Sequence, residues 1–309
     1  MQEKILVAGA TDMNLTLPMR SVPPAGSDVT EDGKPHYTAG GGGAASAVAL
    51  AKLGAAPVLL SRVGADVHGR RLLRLYGEVG VDGRFVSTDP RAATGLRIIL
   101  REAGGDRRTV YYPGANREFP LMQAEQAIVE TGPCGVFLPM DLAPDVTVNL
   151  SRLCASYGLP LFLDATGIPA DFPLASLGRA EIFCPDDREA YAITGTYPVG
   201  SDSCLKAAVE LEKRVKARYY VIRLGERGLF LYDGRYCHMI PGFGVRMPEG
   251  APLCGTLSAV LSLGYLRSGG DVMAACRYAL GYHALLLRNA AVPGYLPEDD
   301  EVREFVRTH

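Results

Sequence analysis

The sequence predicts an α/β fold with a mostly parallel central sheet covered by helices on both faces. Three observations predict it. Short runs that are apolar throughout alternate with segments of helical spacing. Gly or Asp punctuates most of the junctions between them. The chain has 309 residues, enough for one large α/β unit with a small appendage.

In chain order, Ile5–Ala8, Val58–Leu60, Val136–Leu138, Leu161–Leu163, Ile182–Cys184 and Tyr219–Ile222 read as buried strands bounded by turn residues. Helical spacing is found in Ala44–Leu53, with Ala44, Ala47, Val48 and Ala51 on one face, and in Leu72–Val79. It recurs in Asp145–Tyr157, with Leu150 and Leu153 inward, and in Leu205–Val215. Strands Leu229–Tyr232 and Tyr236–Met239 follow, and the last third is helical over Thr256–Arg267, Val272–Leu287 and Glu301–Val306. Two stretches break the alternation. Residues 15–38 and 94–112 are extended, with Pro, Gly and Asp turns, and Thr94–Arg101 with Arg107–Tyr112 forms a hairpin pattern around a Gly-Gly turn. They are either surface loops or a small β-layer standing off the main sheet. No internal repeat or low-complexity linker divides the chain, so residues 1–309 count as one domain.

Composition excludes several functions. The formal net charge is -2 with both signs scattered, which argues against a nucleic-acid partner. No run approaches the roughly 18 apolar residues of a membrane span, and the N-terminal segment has no signal-peptide pattern. Seven cysteines, odd in number and without a C-x-x-C pair, suit a reducing compartment, and a cytoplasmic location is expected. Cys134, Cys154, Cys184 and Cys237 fall in apolar or strand-like surroundings, as small hydrophobes. The five histidines are scattered without metal-ligand spacing.

Ala39–Ser46 reads AGGGGAAS and leads into a helix. Such a run costs backbone entropy unless something approaches the backbone closely, and free N–H groups at a helix start can hold hydroxyls or anions. It lacks the Lys-Ser/Thr of a phosphate loop, and about thirty residues separate it from the first strand, unlike a dinucleotide fingerprint. A flexible turn is the alternative.

The surroundings of the run decide between these. Gly9-Ala10-Thr11-Asp12-Met13-Asn14-Leu15, the glycine run, Leu60 to Gly69 (LSRVGADVHG) and Gly80-Val81-Asp82 follow in order. Then come Thr94-Gly95, Pro113-Gly114-Ala115-Asn116, Cys184 to Ala190 (CPDDREA) and Arg223 to Gly228 (RLGERG). This succession resembles the ribokinase-like (PfkB-type) carbohydrate and nucleoside kinases over roughly residues 4 to 306. The resemblance implies a three-layer α/β sandwich and a β-lid, formed by about 12–38 and 92–114, over a sugar or nucleoside. It also implies ATP with Mg²⁺ and phosphoryl transfer to a substrate hydroxyl. Pairing of lids into a homodimer follows from the same likeness.

Carried over residue by residue, the resemblance places Asp12, Asn14, Gly40, Gly41, Gly42, Ala45, Arg97, Asn116 and Asp164 on the substrate side. Asp186, Arg223, Gly225 and Gly228 fall on the nucleotide side, and Glu189 with Asp186 is placed to position hydrated Mg²⁺. The family's D-T-x-G-A-G-D motif, which supplies the base and the anion hole, falls on Glu249 to Gly255 (EGAPLCG). Gly255 therefore stands where the family has its base, and Leu253, Cys254 and Gly255 stand at the anion hole. Pro252 has no N–H to donate. Glu249 and Asp12 are the candidate substitute bases. A member that binds a sugar or nucleotide without turnover, a pseudokinase, is the alternative to an active kinase.

Some roles stay open on the residues alone. Arg97 points over the sugar, favouring an acidic substrate, or outward into water. Asp164 is a ligand residue or a loop cap. Arg223 is a phosphate donor or a strand-end surface arginine. Cys254 is a thiolate favoured by a helix N-terminus or a half-buried thiol.

Overall fold

The computed structural model describes residues 2–104, 106–169, 171–245, 255–290, 292 and 294–309. The strands are β1 (Lys4–Ala8), β2 (Asp12–Met19), β3 (His36–Gly40), β4 (Ala56–Gly64), β5 (Val86–Asp89), β6 (Gly95–Glu102), β7 (Arg107–Tyr112) and β8 (Gly135–Pro139), then β9 (Leu161–Asp164), β10 (Ala180–Cys184), β11 (Ala217–Arg223), β12 (Leu229–Tyr232) and β13 (Cys237–Ile240). The helices are α1 (Gly42–Lys52), α2 (Val67–Val79), α3 (Ala124–Thr131), α4 (Pro144–Ser156), α5 (Asp187–Thr194), α6 (Ser201–Arg214), α7 (Leu257–Arg267), α8 (Val272–Arg288) and α9 (Asp299–Thr308).

The main sheet has the order β13-β12-β11-β10-β9-β8-β1-β4-β5. Its pairs are parallel from β11 to β5, and β12 and β13 add an antiparallel edge. Alternation along each strand splits the core in two. Leu6 and Ala8 face a cluster with α3, α4, α5 and α6, while Ile5 and Val7 face one with α1, α2, α7, α8 and α9. Three layers result. Strands buried on both faces carry no polar alternation, which is why they read as continuous apolar runs.

The second sheet, in the order β3-β2-β6-β7, is built from the two stretches that broke the alternation. Among the described residues its strands run 12–19, 36–40, 95–102 and 107–112, beginning before and ending after the first stretch, and 20–35 is a connection. The β6–β7 hairpin pairs Leu96 with Tyr112 through Arg101 with Arg107. Three elements lay outside the sequence reading: β5, a short and half-polar strand, and the helices α3 and α5. Two cysteines need correction. Cys154 and Cys184 are buried, but Cys134 and Cys237 are exposed, because Cys134 lies just before β8 and Cys237 opens the edge strand β13. No helix among the described residues is long and apolar enough to cross a membrane.

The chain leaves β1 for β4 and β5 on one side and later returns to β8 on the other, so the strand order reverses between β1 and β8. In open α/β sheets, ligands bind in the crevice beyond the carboxyl ends of the strands at such a reversal. Gly9 and the start of α1 meet there. A Cβ on Gly43 would lie 2.6 Å from the Gly9 carbonyl carbon, and one on Gly9 would lie 2.6 Å from Pro139 Cγ and 2.9 Å from Gly43 Cα. The first obstacle is backbone, which cannot step aside as a side chain can. Gly43→Ala is expected to cost about 1–3 kcal/mol, read as a lower urea midpoint at unchanged slope.

Candidate functional site

The carboxyl edge of the sheet carries two polar clusters, one under the small sheet and one beside α5 and α7.

The first begins at β2, which leaves the main sheet directly after β1. Asp12 pairs with Gly40 on β3 and Gly95 on β6. Both glycines are required: a Cβ at Gly95 would lie 2.2 Å from Asp12 Oδ1, and one at Gly40 would lie 2.2 Å from Asn14 Oδ1. Asn116 ties this root together. Its Oδ1 accepts from the Thr11 N–H at 3.0 Å, and its Nδ2 donates to the Thr11 carbonyl at 3.0 Å and to Asp12 Oδ1 at 2.7 Å. Asp12 is fully buried. Arg97 Nη2 reaches its other oxygen at 3.4 Å, and the guanidinium stacks over Tyr111 at 4.4 Å. Arg97 thus faces Asp12, which resolves the two orientations left open. Burial raises the Asp12 carboxyl above its ordinary value, against the opposing pull of Arg97. The Asn14 Oδ1 atom is buried without a hydrogen-bond partner among the described residues, an acceptor suited to a ligand hydroxyl.

Asp141, just past the end of β8, was missed in the sequence. It accepts from the Ala10 N–H at 3.1 Å and from the Gly42 N–H at 2.7 Å, spanning the end of β1 and the first turn of α1. The glycine run is therefore not a row of free donors, as expected: Gly42 gives its N–H to Asp141, and Ala44 gives its own to the Ala10 carbonyl at 3.2 Å. What the run supplies is close approach, with Gly41 at φ 85°. Ala45 lies inside α1, its N–H bonded to the Gly41 carbonyl at 3.0 Å. A lone Asp in a Pro-Met-Asp-Leu loop carries no motif; its only signal was its position after an apolar strand.

The second cluster is centred on Arg223, the last residue of β11. Its Nη1 donates to Asp164 Oδ2 and Ser258 Oγ, each at 3.1 Å. Its Nη2 donates to Glu189 Oε2 at 3.0 Å, Asp164 Oδ1 at 3.2 Å and Thr166 Oγ1 at 3.3 Å. Arg223 is thus no surface arginine; its side chain is 12% exposed. Asp164 caps its loop as well as pairing, since Oδ1 also accepts from the Thr166 N–H at 2.9 Å. Asp186 and Glu189 form the capping box of α5: Asp186 Oδ1 accepts from the Glu189 N–H, and Glu189 Oε2 from the Asp186 N–H, each at 2.7 Å. The magnesium role expected for this pair meets an obstacle, because the Glu189 oxygen is already shared by a backbone N–H and a buried guanidinium. The donor set fits a guanidinium better than a hydrated Mg²⁺, whose positive charge Arg223 would repel.

Gly225 and Gly228 shape the loop after β11 with φ 61° and 98°. A shallow pocket beside it is lined by Gly225, Gly242, Phe243, Leu280, His283 and Leu287. Burial, then the Arg223 charge, lowers the pKa of His283 below its ordinary value. Gly255 is exposed just before α7, and a Cβ there would meet no atom within 4 Å. Three residues on, Ser258 touches Arg223, so the α7 start borders the second cluster. Glu249, Pro252, Leu253 and Cys254 lie outside the described residues.

Burial pushes the Asp141 carboxyl up to about 6 from an ordinary 3.8, opposed by the Ala10 and Gly42 donors and reinforced by the Asp12 charge. A raised carboxyl favours the folded state while protonated, and that contribution is lost as pH rises through the folded-state value. Urea unfolding across this window should show wild type losing stability relative to Asp141→Asn as pH rises from about 4 to about 6. A difference that does not change with pH would show that Asp141 titrates normally.

Comparison with known proteins identifies the family and agrees with the fold. Ribokinase of Bacillus subtilis is 27% identical over 98% of this chain and 99% of its own length. Ribokinase of Arabidopsis thaliana is 23% identical over 74% of this chain and 61% of its own length. The structure of Arabidopsis thaliana ribokinase complexed with ribose and ATP superposes with a TM-score of 0.84 at 21% identity, covering 99% of each chain. The model of the pfkB family of carbohydrate kinases matches residues 2–247, and with most of its length matched the chain belongs to that family.

Proposed function

We propose that the chain binds a sugar, sugar acid or nucleoside in the crevice under its small sheet and phosphorylates it from ATP slowly. The observation that carries the binding half is the buried pair Asp12 and Asn116, with the partly exposed Arg97 reaching Asp12, beside the unpartnered Asn14 oxygen. Buried carboxylate and amide groups at the root of a sheet reversal are what a polyol needs, since each hydroxyl both donates and accepts.

Slow turnover follows from Gly255. A general base contributes roughly 10²–10⁴-fold in rate, and a glycine offers none. The alternative, a binding module without turnover, is favoured by the same residue.

A panel of sugars, sugar acids and nucleosides, followed by melting temperature and by ADP release with ATP and Mg²⁺, separates the readings. One panel member is expected to raise the melting temperature, with the effect lost in Asp12→Asn and Asn14→Leu. ADP release is expected to be measurable but slow. Its loss in Glu249→Gln would identify a relocated base, and binding without any release would leave the module reading. Gly255→Asp should fold, since the site has room for a side chain. It should raise turnover by less than about tenfold, because Pro252 still offers no N–H to the transferring group. A larger gain would mean that the base alone was missing.

A further inference from the structure

The second cluster has the oxygen donors of a divalent-metal site and a cation already in it. Asp164 from β9, Glu189 from α5, Thr166 from the loop after β9 and Ser258 from α7 all point their oxygens at one group, the Arg223 guanidinium. Both terminal nitrogens are bonded and both Asp164 oxygens are engaged. The guanidinium joins β9, α5 and α7 through their side chains. The Arg223 side chain is 12% exposed and that of its partner Asp164 only 1%.

We propose that Arg223 is a resident cation that fills this site, so that the edge takes up no divalent ion while Arg223 is in place and gains one when its charge is removed. The argument is electrostatic and geometric. A buried guanidinium within hydrogen-bond reach of Glu189 and Asp164 compensates their charge, and an arriving divalent ion would meet its repulsion at short range in a poorly solvated setting. The planar fork spans both Asp164 oxygens and Glu189 at once, a geometry that fixes the carboxylates for nitrogen donors, not for an octahedral ion. Without the guanidinium, two carboxylates and two hydroxyls remain around one space. Hard divalent ions are held by one or two carboxylates with water completing the shell.

The consequence for nucleotide binding rests on the kinase reading: ATP bound at this edge would meet an internal positive charge in place of a protein-held metal. The metal claim itself does not depend on ATP.

The test is a titration of the full chain, stripped with EDTA, with Mn²⁺ followed by electron paramagnetic resonance. Wild type and Arg223→Lys are expected to leave the Mn²⁺ signal free. Arg223→Gln is expected to bind about one ion per chain, and Glu189→Gln added to it should abolish that site. Wild type that binds Mn²⁺ stoichiometrically, with loss in Glu189→Gln, overturns the proposal, as does a folded Arg223→Gln that binds none. Should Arg223→Gln fail to fold, Arg223→Ser carries the same expected gain and the same overturning result, and stoichiometric binding by wild type still overturns the proposal. Calorimetry with ATP in EDTA and in Mg²⁺ runs alongside: no binding in either buffer counts against the kinase reading alone, and binding only when the wild-type protein also holds Mn²⁺ counts against Arg223 as the cation.

Discussion

Gly9 and Gly43 lie backbone to backbone at the end of β1, and the ligand side of the molecule is arranged around that contact. It lets α1 begin directly over the strand it must cover. With the helix start held so low, Asp141 from the neighbouring strand reaches the N–H groups of Ala10 and Gly42 together. One carboxylate then joins the ends of β1, β8 and α1. A methyl group at either glycine would lift the helix and open that junction, which is why composition alone made the glycine run look wasteful.

Around this junction the chain buries charge in two places. Asp12 is paired with Arg97, and Asp164 and Glu189 are paired with Arg223. Burying an ion pair offers little net stability, because desolvation offsets the attraction, while removing one partner is costly. Their value lies elsewhere. Arg97 adds a side-chain tie between β6 and the root of β2, strands already paired through their backbones, and Arg223 joins the ends of β9 and β11 to α5 and α7.

Much of the fold was legible because strands buried on both faces have no polar positions to blur their limits. β5 was not, since Ser87 and Thr88 make a four-residue strand look like a turn. The site was legible only in part. Asp12, Asn14 and Asn116 stood out through the company they keep in sequence. Asp141 had no such company. The pairing of Arg223 with Asp164 spans 59 residues and crosses from β11 to β9 over β10, a relation that appears only once the strand order is known. Arg97 had two faces to choose from, and alternation along β6 cannot say which one looks at Asp12.

The small sheet is anchored at one end. Asn116, Gly95 and Asp12 fix its root, while the connection 20–35 and residues 103 and 104 lie at the far end of strands of eight residues. Mechanically this is a cantilever: an eight-residue strand is roughly 26 Å long, so a tilt of about 10° at the root carries the tip about 5 Å. Asn14 lies on the short arm, so a small change there is magnified at the far end.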